Sequence, residues 1–186
     1  MLKNIISVMI TTCRFMLLKL FKGNCFFYHG IQRFSPSTEI ELEKGSKLVL
    51  GRKVRAHSGT KIKVRNKAEV TIGDDVAFNY NCMIVSRDRI SIGNGCEIGP
   101  GVLLYDHDHD IKNHLLKDGE YLSSPIEIGE NVWIGANVVI LRGTKIGDNS
   151  VIGAGAIIKG EFPANSVIIQ KVDYEIKKSK YNVFSM

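Results

Sequence analysis

Large aliphatic residues recur at every sixth position in the C-terminal half of the chain. The longest uninterrupted series is Ile128, Ile134, Ile140, Ile146, Ile152 and Ile158. Four residues after each isoleucine stands a side chain that is small or β-branched in five of six cases: Val132, Val138, Thr144, Ser150, Ala156 and Phe162. A period of six is too long for strand alternation and does not match the stripe of an amphipathic helix.

This period is typical of a parallel β-helix, in which three hexads (about 18 residues) form one triangular coil. The aliphatic residue and the fifth residue of each hexad point into a narrow prism, and stacked coils hydrogen-bond to one another. The same spacing of six appears upstream in two series, first Ile72, Phe78 and Ile84 and then Ile92, Ile98 and Leu104, with fainter echoes at Leu50, Ala56 and Ile62. We therefore predict an all-β protein with an N-terminal helical segment over 1–38, a β-helix domain over 39–170 and a tail over 171–186.

The hexad register also assigns two of the four cysteines. Cys82 and Cys96 fall at the inward fifth position, where a small apolar side chain is required, so we expect core residues rather than metal ligands or nucleophiles. There is no CxxC pair and no cleavable signal pattern at the N-terminus. These features indicate reduced thiols in a cytoplasmic protein.

The hexad series runs to Leu104 and resumes at Ile128, 24 residues later rather than six. The excess over one hexad is 18 residues. We expect them to leave the prism within an extruded loop over 105–127, and the chain to return to the same face in register. The loop contains three of the five histidines, His107, His109 and His114, among several carboxylates. Excursions from a rigid scaffold often carry functional sites. On composition alone, the loop can equally be a solvated segment, or a metal site built on two histidines five residues apart.

Four stretches carry a resemblance to a known family: "NYNCMIV", "IGPGVLLYDHDH", "KDGEYLSSPIEIGENVWIGANVVI" and "IGDNSVIGAGAIIKGEFPANSVI". The chain resembles the hexapeptide-repeat acyltransferases, most closely the galactoside and maltose acetyltransferases and related polysaccharide O-acetyltransferases. The resemblance implies a left-handed β-helix and acetyl transfer from acetyl-CoA, as cosubstrate, to a hydroxyl group of a sugar or glycan. It also implies a homotrimer with sites between subunits, and no metal.

The resemblance also implies a catalytic residue. In the family, the catalytic histidine lies seven residues after the valine of the "PGV" motif, which is His109 when counted from Val102. Histidine is suited to remove a proton from an alcohol and return it to the leaving thiolate, without a covalent enzyme intermediate. His107 and His114 are weaker candidates. Glu120, Asp108 and backbone carbonyls are candidates to hold the other imidazole nitrogen.

Further site residues follow from the same resemblance. Asn79 matches the family asparagine that contacts the acceptor, and Asn81 shares this assignment; either can instead be a corner residue of the β-helix. His107 and Asp108 are expected close to the acceptor. For acetyl-CoA the implied residues are Trp133, Ala136 (through its N–H), Gly153, Ala154 and Lys159. The family arginine for the nucleotide phosphates is replaced by Tyr174, so Lys159, Lys177 or Lys178 is expected to supply that charge.

The formal net charge of +6 is concentrated at the two ends. Residues 1–38 contain five basic residues and no acidic one, whereas 39–170 contain 16 basic and 17 acidic residues. This distribution argues against a nucleic-acid-binding stripe. A helical apolar stripe near the N-terminus comprises Leu2, Ile6, Met9, Cys13, Leu17 and Leu20. Residues 1–21 therefore either cap the open end of the prism or contact the inner face of an anionic membrane.

Three other functions fit the same scaffold. One is N-acetylation of an amino sugar or sugar nucleotide. Another is a zinc enzyme like the gamma-class carbonic anhydrases, which is disfavoured because the third histidine ligand would fall at Gly73, 36 residues before His109. The third is a non-enzymatic trimeric platform, against which the histidine-bearing excursion argues.

Overall fold

The computed structural model describes residues 2–112, 115–173 and 175, with side chains described outside 2–4 and 112–119. Four residues named above lie outside the described part of the chain: His114, Tyr174, Lys177 and Lys178. An α-helix, α1, spans Leu2–Lys22, and one 3-10 turn spans Gly23–Cys25. Within the described residues, no helix is both long and apolar enough to cross a membrane.

The rest of the chain winds through three parallel sheets. The first sheet contains β1 (Phe26–Tyr28), β4 (Lys47–Leu50), β7 (Glu69–Ile72), β10 (Arg89–Ile92), β15 (Ile126–Ile128), β18 (Lys145–Ile146) and β21 (Glu161–Phe162). The second contains β2 (Arg33–Phe34), β5 (Arg55–Ala56), β8 (Ala77–Phe78), β11 (Glu97–Ile98), β16 (Trp133–Ile134), β19 (Val151–Ile152) and β22 (Val167–Ile168). The third contains β3 (Glu39–Leu42), β6 (Lys61–Val64), β9 (Met83–Ser86), β12 (Leu103–Tyr105), β17 (Val139–Leu141) and β20 (Ile157–Ile158).

Successive strands belong to successive sheets, so the chain forms a three-sided β-solenoid, as expected for a left-handed β-helix of hexapeptide repeats. The predicted inward positions are buried: the six isoleucines from Ile128 to Ile158 are at most 5% exposed. Cys82 and Cys96 are also fully buried core residues, as predicted. Stacked inward rows of this kind form one continuous apolar core along the solenoid axis.

The solenoid begins upstream of the boundary expected at residue 39. Strand β1 pairs with β4, and β2 pairs with β5, so the first coil starts at Phe26. Helix α1 covers this end of the prism with Phe15, which is fully buried with its ring 5.0 Å from the ring centroids of both Phe26 and Phe34. The helix therefore closes the apolar core at its N-terminal end.

The excursion is a β-hairpin rather than an irregular loop. It consists of β13 (His107–Lys112) and β14 (Leu115–Ser123), which pair antiparallel. The chain leaves at the end of the third sheet and re-enters at β15 in the first sheet, so it does not return to the same face. Because Ile92 pairs with Ile128, the coil nevertheless resumes in register on the face that follows.

Candidate functional site

The histidine hairpin rises from the corner between the third and first sheets, which we call the hairpin corner. Asp106, which directly precedes β13, is fully buried. The Asp106 carboxylate accepts hydrogen bonds from the Ser86 hydroxyl (2.6 Å) and from the backbone N–H groups of Arg87 (2.8 Å) and Asp88 (2.9 Å). A carboxylate bonded in this way ties the base of the hairpin to the preceding coil.

The two described histidines have different surroundings. The His107 Nδ1 lies 3.0 Å from Asp106 Oδ1, and this side chain is only 12% exposed. His109 is exposed, and it pairs across the hairpin with Tyr121, with ring centroids 4.8 Å apart. Tyr121 also contacts His107, with centroids 5.4 Å apart. The hairpin thus presents the His109 ring to solvent on an aromatic support.

Two arginines of the hairpin corner hold the hairpin from either side along the solenoid axis. Arg87, in the coil before it, stacks its guanidinium on the Tyr121 ring at 3.5 Å from the centroid. Arg142, in the coil after it, donates from Nε to Asp108 Oδ2 at 2.6 Å. The Asp108 carboxylate proposed as a histidine partner is therefore engaged by Arg142. Glu120, the other proposed partner, lies exposed on β14 beside Tyr121.

The asparagine candidates lie at a different corner, where the second sheet passes into the third; we call it the asparagine corner. Asn79 follows β8 directly and is half-buried, and its backbone carbonyl accepts from the Thr60 hydroxyl. Asn81 has a positive φ of 59°, and its side chain covers Gly59 in the coil below. Asn131 and Asn137 adopt the same conformation over Gly95 and Gly101. Asn81 therefore has the structural role of a corner residue, whereas Asn79 has a conventional backbone.

Four of the five residues expected to bind the cofactor lie on or beside the asparagine corner. Trp133 projects from the second sheet and is 59% exposed, as its register predicts. Ala136 and Ala154 stand at the corner in successive coils, with Gly153 next to Ala154. Ala136 is half-buried and Ala154 is exposed, and nothing lies within 4 Å of a Cβ added at Gly155. The fifth residue, Lys159, is exposed at the hairpin corner, after β20.

The two corners are separated by the width of the third sheet. Strand β9 of that sheet contains four residues, Met83–Ser86, which corresponds to about 13 Å at about 3.3 Å per residue. Asn79 precedes this strand, and the hairpin corner follows it. A single chain therefore holds the predicted acceptor asparagine and the predicted base on opposite edges of one face.

The described side chains contain no group of three or more His, Cys, Asp and Glu residues arranged to hold a metal ion. Burial raises the pKa of the Cys82 thiol to about 11, and it does the same for Cys96, so neither is an activated nucleophile.

Sequence reasoning assigned no role to Asp106, Arg87, Tyr121 or Arg142. Asp106 immediately precedes His107, so its position beside the predicted histidines was the one signal in the sequence that could have identified it. The two arginines are brought to the hairpin by coil stacking, and their distance along the chain gives no such signal.

Comparison with known proteins agrees with this architecture. A family model described as bacterial transferase hexapeptide (six repeats) matches residues 125–160. The galactoside O-acetyltransferase of Escherichia coli (strain K12) is 45% identical over 100 residues, which is 54% of this chain and 49% of that protein. The chain spans about half the length of several such curated relatives.

This chain spans a larger share of two further relatives. A putative lipopolysaccharide biosynthesis O-acetyl transferase of Escherichia coli (strain K12) is 31% identical over 135 residues, covering 64% of this chain and 69% of that protein. A solved structure of galactoside acetyltransferase in complex with coenzyme A is 28% identical, with a TM-score of 0.54, covering 90% of this chain and 76% of that one. Repeat, fold and relatives agree: the chain belongs to the hexapeptide-repeat acetyltransferase family.

Proposed function

We propose that this chain is an acetyl-CoA-dependent O-acetyltransferase that acts on a hydroxyl group of a sugar or glycan. The observation that carries the proposal is the exposed His109 ring, at the family's motif position, on a hairpin that Asp106 anchors to the coil. Relatives named galactoside O-acetyltransferase and lipopolysaccharide biosynthesis O-acetyl transferase support a hydroxyl acceptor and a polysaccharide or its precursor. Free cysteines and the use of acetyl-CoA support action in the cytoplasm.

In the proposed reaction, His109 acts as a general base. The imidazole accepts the hydroxyl proton as the oxygen attacks the acyl carbon; the new C–O bond forms, the C–S bond breaks, and the proton passes to the departing thiolate. The His109 side chain is exposed, so an acceptor can approach it. The N–H of Ala136 is proposed to stabilise the oxyanion, since this contact requires only a backbone group.

Acetyl-CoA supplies the activated acyl group as a thioester. The residues proposed to hold it fit the extended pantetheine arm of the cofactor. The small residues Ala136, Gly153 and Ala154 allow close approach to the backbone, and Trp133 offers an exposed ring beside them. Lys159 is exposed and forms no ion pair with the described residues, so it is available for a phosphate.

The positions of Asn79 and His109 support a homotrimer with sites between subunits. Since they lie on opposite edges of the third sheet, a site that uses both is assembled most simply from two chains. Cyclic symmetry then repeats the same contact around a closed ring. His107 and Asp108 are proposed to lie beside the acceptor at the hairpin corner, whereas Asn81 keeps its role as a corner residue of the solenoid.

The test is a screen of sugars with acetyl-CoA, in which free thiol release is followed and the product is identified by mass. The panel includes amino sugars, so that N-acetylation is scored in the same experiment. We expect O-acetylation, and we expect His109→Asn to lower kcat by about 10²–10⁴-fold while coenzyme A binding is retained. The matched variant His107→Asn should retain more turnover. Full turnover by His109→Asn would falsify the mechanism.

A further inference from the structure

Helix α1 presents a continuous apolar surface to solvent. Between residues 5 and 21 every exposed side chain is apolar: Ile5, Ile6, Met9, Ile10, Cys13, Met16, Leu17, Leu20 and Phe21. Leu20 and Phe21 are the most exposed of these, at 75% and 79%. The spacing keeps all nine on one side of the helix, which we call the outer face of α1. Soluble proteins seldom leave such a contiguous patch to water.

The polar residues of α1 lie on its other side and bind the first coils. The Thr11 hydroxyl donates to the Phe34 carbonyl and accepts from the Phe34 N–H, both at 3.0 Å. Arg14 donates to the Thr38 hydroxyl and carbonyl, and Lys19 donates to the carbonyls of Gly23 and Phe26. These bonds fix the rotation of the helix. The sequence stripe that we expected either to cap the prism or to meet a membrane is therefore held outward, and the cap uses the opposite face.

We propose that the outer face of α1 binds the surface of a bilayer that contains anionic lipids. A surface-lying helix of this kind immerses its apolar side chains about 5–10 Å while basic groups stay at the headgroups. Helix α1 contains 21 residues, so it offers a rod of about 30 Å for this contact. The inference does not depend on the proposed reaction.

Charge favours lipid over a second copy of the chain as the occupant. Residues 1–38 contain five basic residues and no acidic one. Arg14, Lys19 and Lys22 bond to neutral hydroxyl and carbonyl groups, so their positive charge is not cancelled by a carboxylate at these contacts. Two such ends brought face to face would repel one another. An anionic bilayer instead attracts each basic residue that lies near its surface.

The experiment is flotation of the full-length protein with vesicles. One set contains phosphatidylcholine alone, and the other contains phosphatidylcholine with about 30% of the anionic lipid phosphatidylglycerol. We expect wild type to float with the anionic vesicles, and high salt to weaken the binding. The variant Leu17→Asp/Leu20→Asp should lose at least about tenfold in binding, because two charges would enter the apolar layer. Thermal unfolding of the variant checks that the solenoid remains folded.

The control is Ile169→Asp, which introduces a charge at an apolar side chain of similar exposure, 72%, beyond the last strand of the solenoid. This variant should float like wild type. The proposal is overturned if wild type stays with the lipid-free fraction, or if the folded double variant floats equally well. It is also overturned if wild type ignores vesicles but forms larger assemblies that the double variant abolishes, since the face then binds a second copy.

Discussion

The guanidinium of Arg87 lies over the ring of Tyr121, at 3.5 Å from its centroid. The two residues belong to different parts of the fold: Arg87 directly follows the third-sheet strand β9, and Tyr121 lies on the returning strand of the hairpin. Because Tyr121 also contacts both His107 and His109, this stack connects the rigid solenoid to the candidate base. The hairpin is therefore held by side chains at its middle as well as by Asp106 at its base.

Loss of this stack should loosen the hairpin without unfolding the solenoid. A cation–π contact contributes about 0.5–2 kcal/mol, so we expect Arg87→Gln to speed amide hydrogen exchange in β13 and β14 by about 2- to 30-fold. Exchange in the three parallel sheets should not change. The control is Arg89→Gln, since Arg89 lies on the first sheet and contacts Glu127 instead. Equal protection of the hairpin in both variants would show that the stack contributes nothing.

Replacement of the buried Asp106 carboxylate should lower the free energy of unfolding more than replacement of the partly exposed Asp108 carboxylate. In Asp106→Asn the amide nitrogen faces groups that are themselves donors, the Ser86 hydroxyl and two backbone N–H groups. We expect a loss of about 1.5–3 kcal/mol in the free energy of unfolding, and a fall in kcat. Asp108→Asn, which breaks a partly exposed pair with Arg142, should cost about 0–1 kcal/mol. Denaturant unfolding compares the two variants, and the reverse order would contradict the anchoring role.

A site assembled from two chains predicts complementation between inactive variants. Asn79→Ala and His109→Ala should each be nearly inactive alone. When the two are unfolded together and refolded at equal amounts, about one quarter of the sites should receive both wild-type residues if these come from different chains. Turnover per site should then recover to about a quarter of wild type. No recovery, with trimers demonstrably mixed, would indicate that both residues of one site come from one chain.

The sequence period predicted the C-terminal coils well because the inward positions of a narrow prism tolerate few side chains. It predicted the N-terminal coils poorly. Leu50 pairs with Ile72, 22 positions later, so coils in this region are longer than three hexads and the phase of six is lost. The start of the solenoid at Phe26 was invisible for the same reason.

The candidate site was only partly predictable. The assignment of His109 counts seven residues from Val102, because a motif fixes that distance within the chain, and it stays a prediction. The contacts of Arg87 and Arg142 with the hairpin depend on which coils stack above and below it, and no local spacing reports this. The orientation of α1 was also hidden, because periodicity identifies an apolar stripe but does not say which side of the helix faces the prism.

The asparagines that cover corner glycines allow backbone strain to be separated from steric overlap. Gly101 and Gly155 both have positive φ, 70° and 74°. A Cβ at Gly101 would overlap the Asn137 side chain, whereas nothing lies within 4 Å of one at Gly155. We expect Gly155→Ala to cost about 1–2 kcal/mol, from the left-handed backbone alone, and Gly101→Ala to cost more. Unfolding in urea measures both, and equal losses would mean that the asparagine moves aside freely.

The buried thiols predict a specific dependence of stability on pH. Burial raises the pKa of Cys82 from 9.0 to about 11, and that of Cys96 likewise. As pH rises through this window the thiols ionise in the unfolded chain but stay protonated in the folded one, so the free energy of unfolding should fall between about pH 9 and pH 11. Lysine and tyrosine titrate in the same range, so the comparison is with Cys82→Ala/Cys96→Ala, which should show a shallower fall.

At pH 8, iodoacetamide should modify exposed Cys13 well before either buried thiol. Rapid alkylation of Cys82 or Cys96 in the folded protein, detected by peptide mass, would contradict their place in the core.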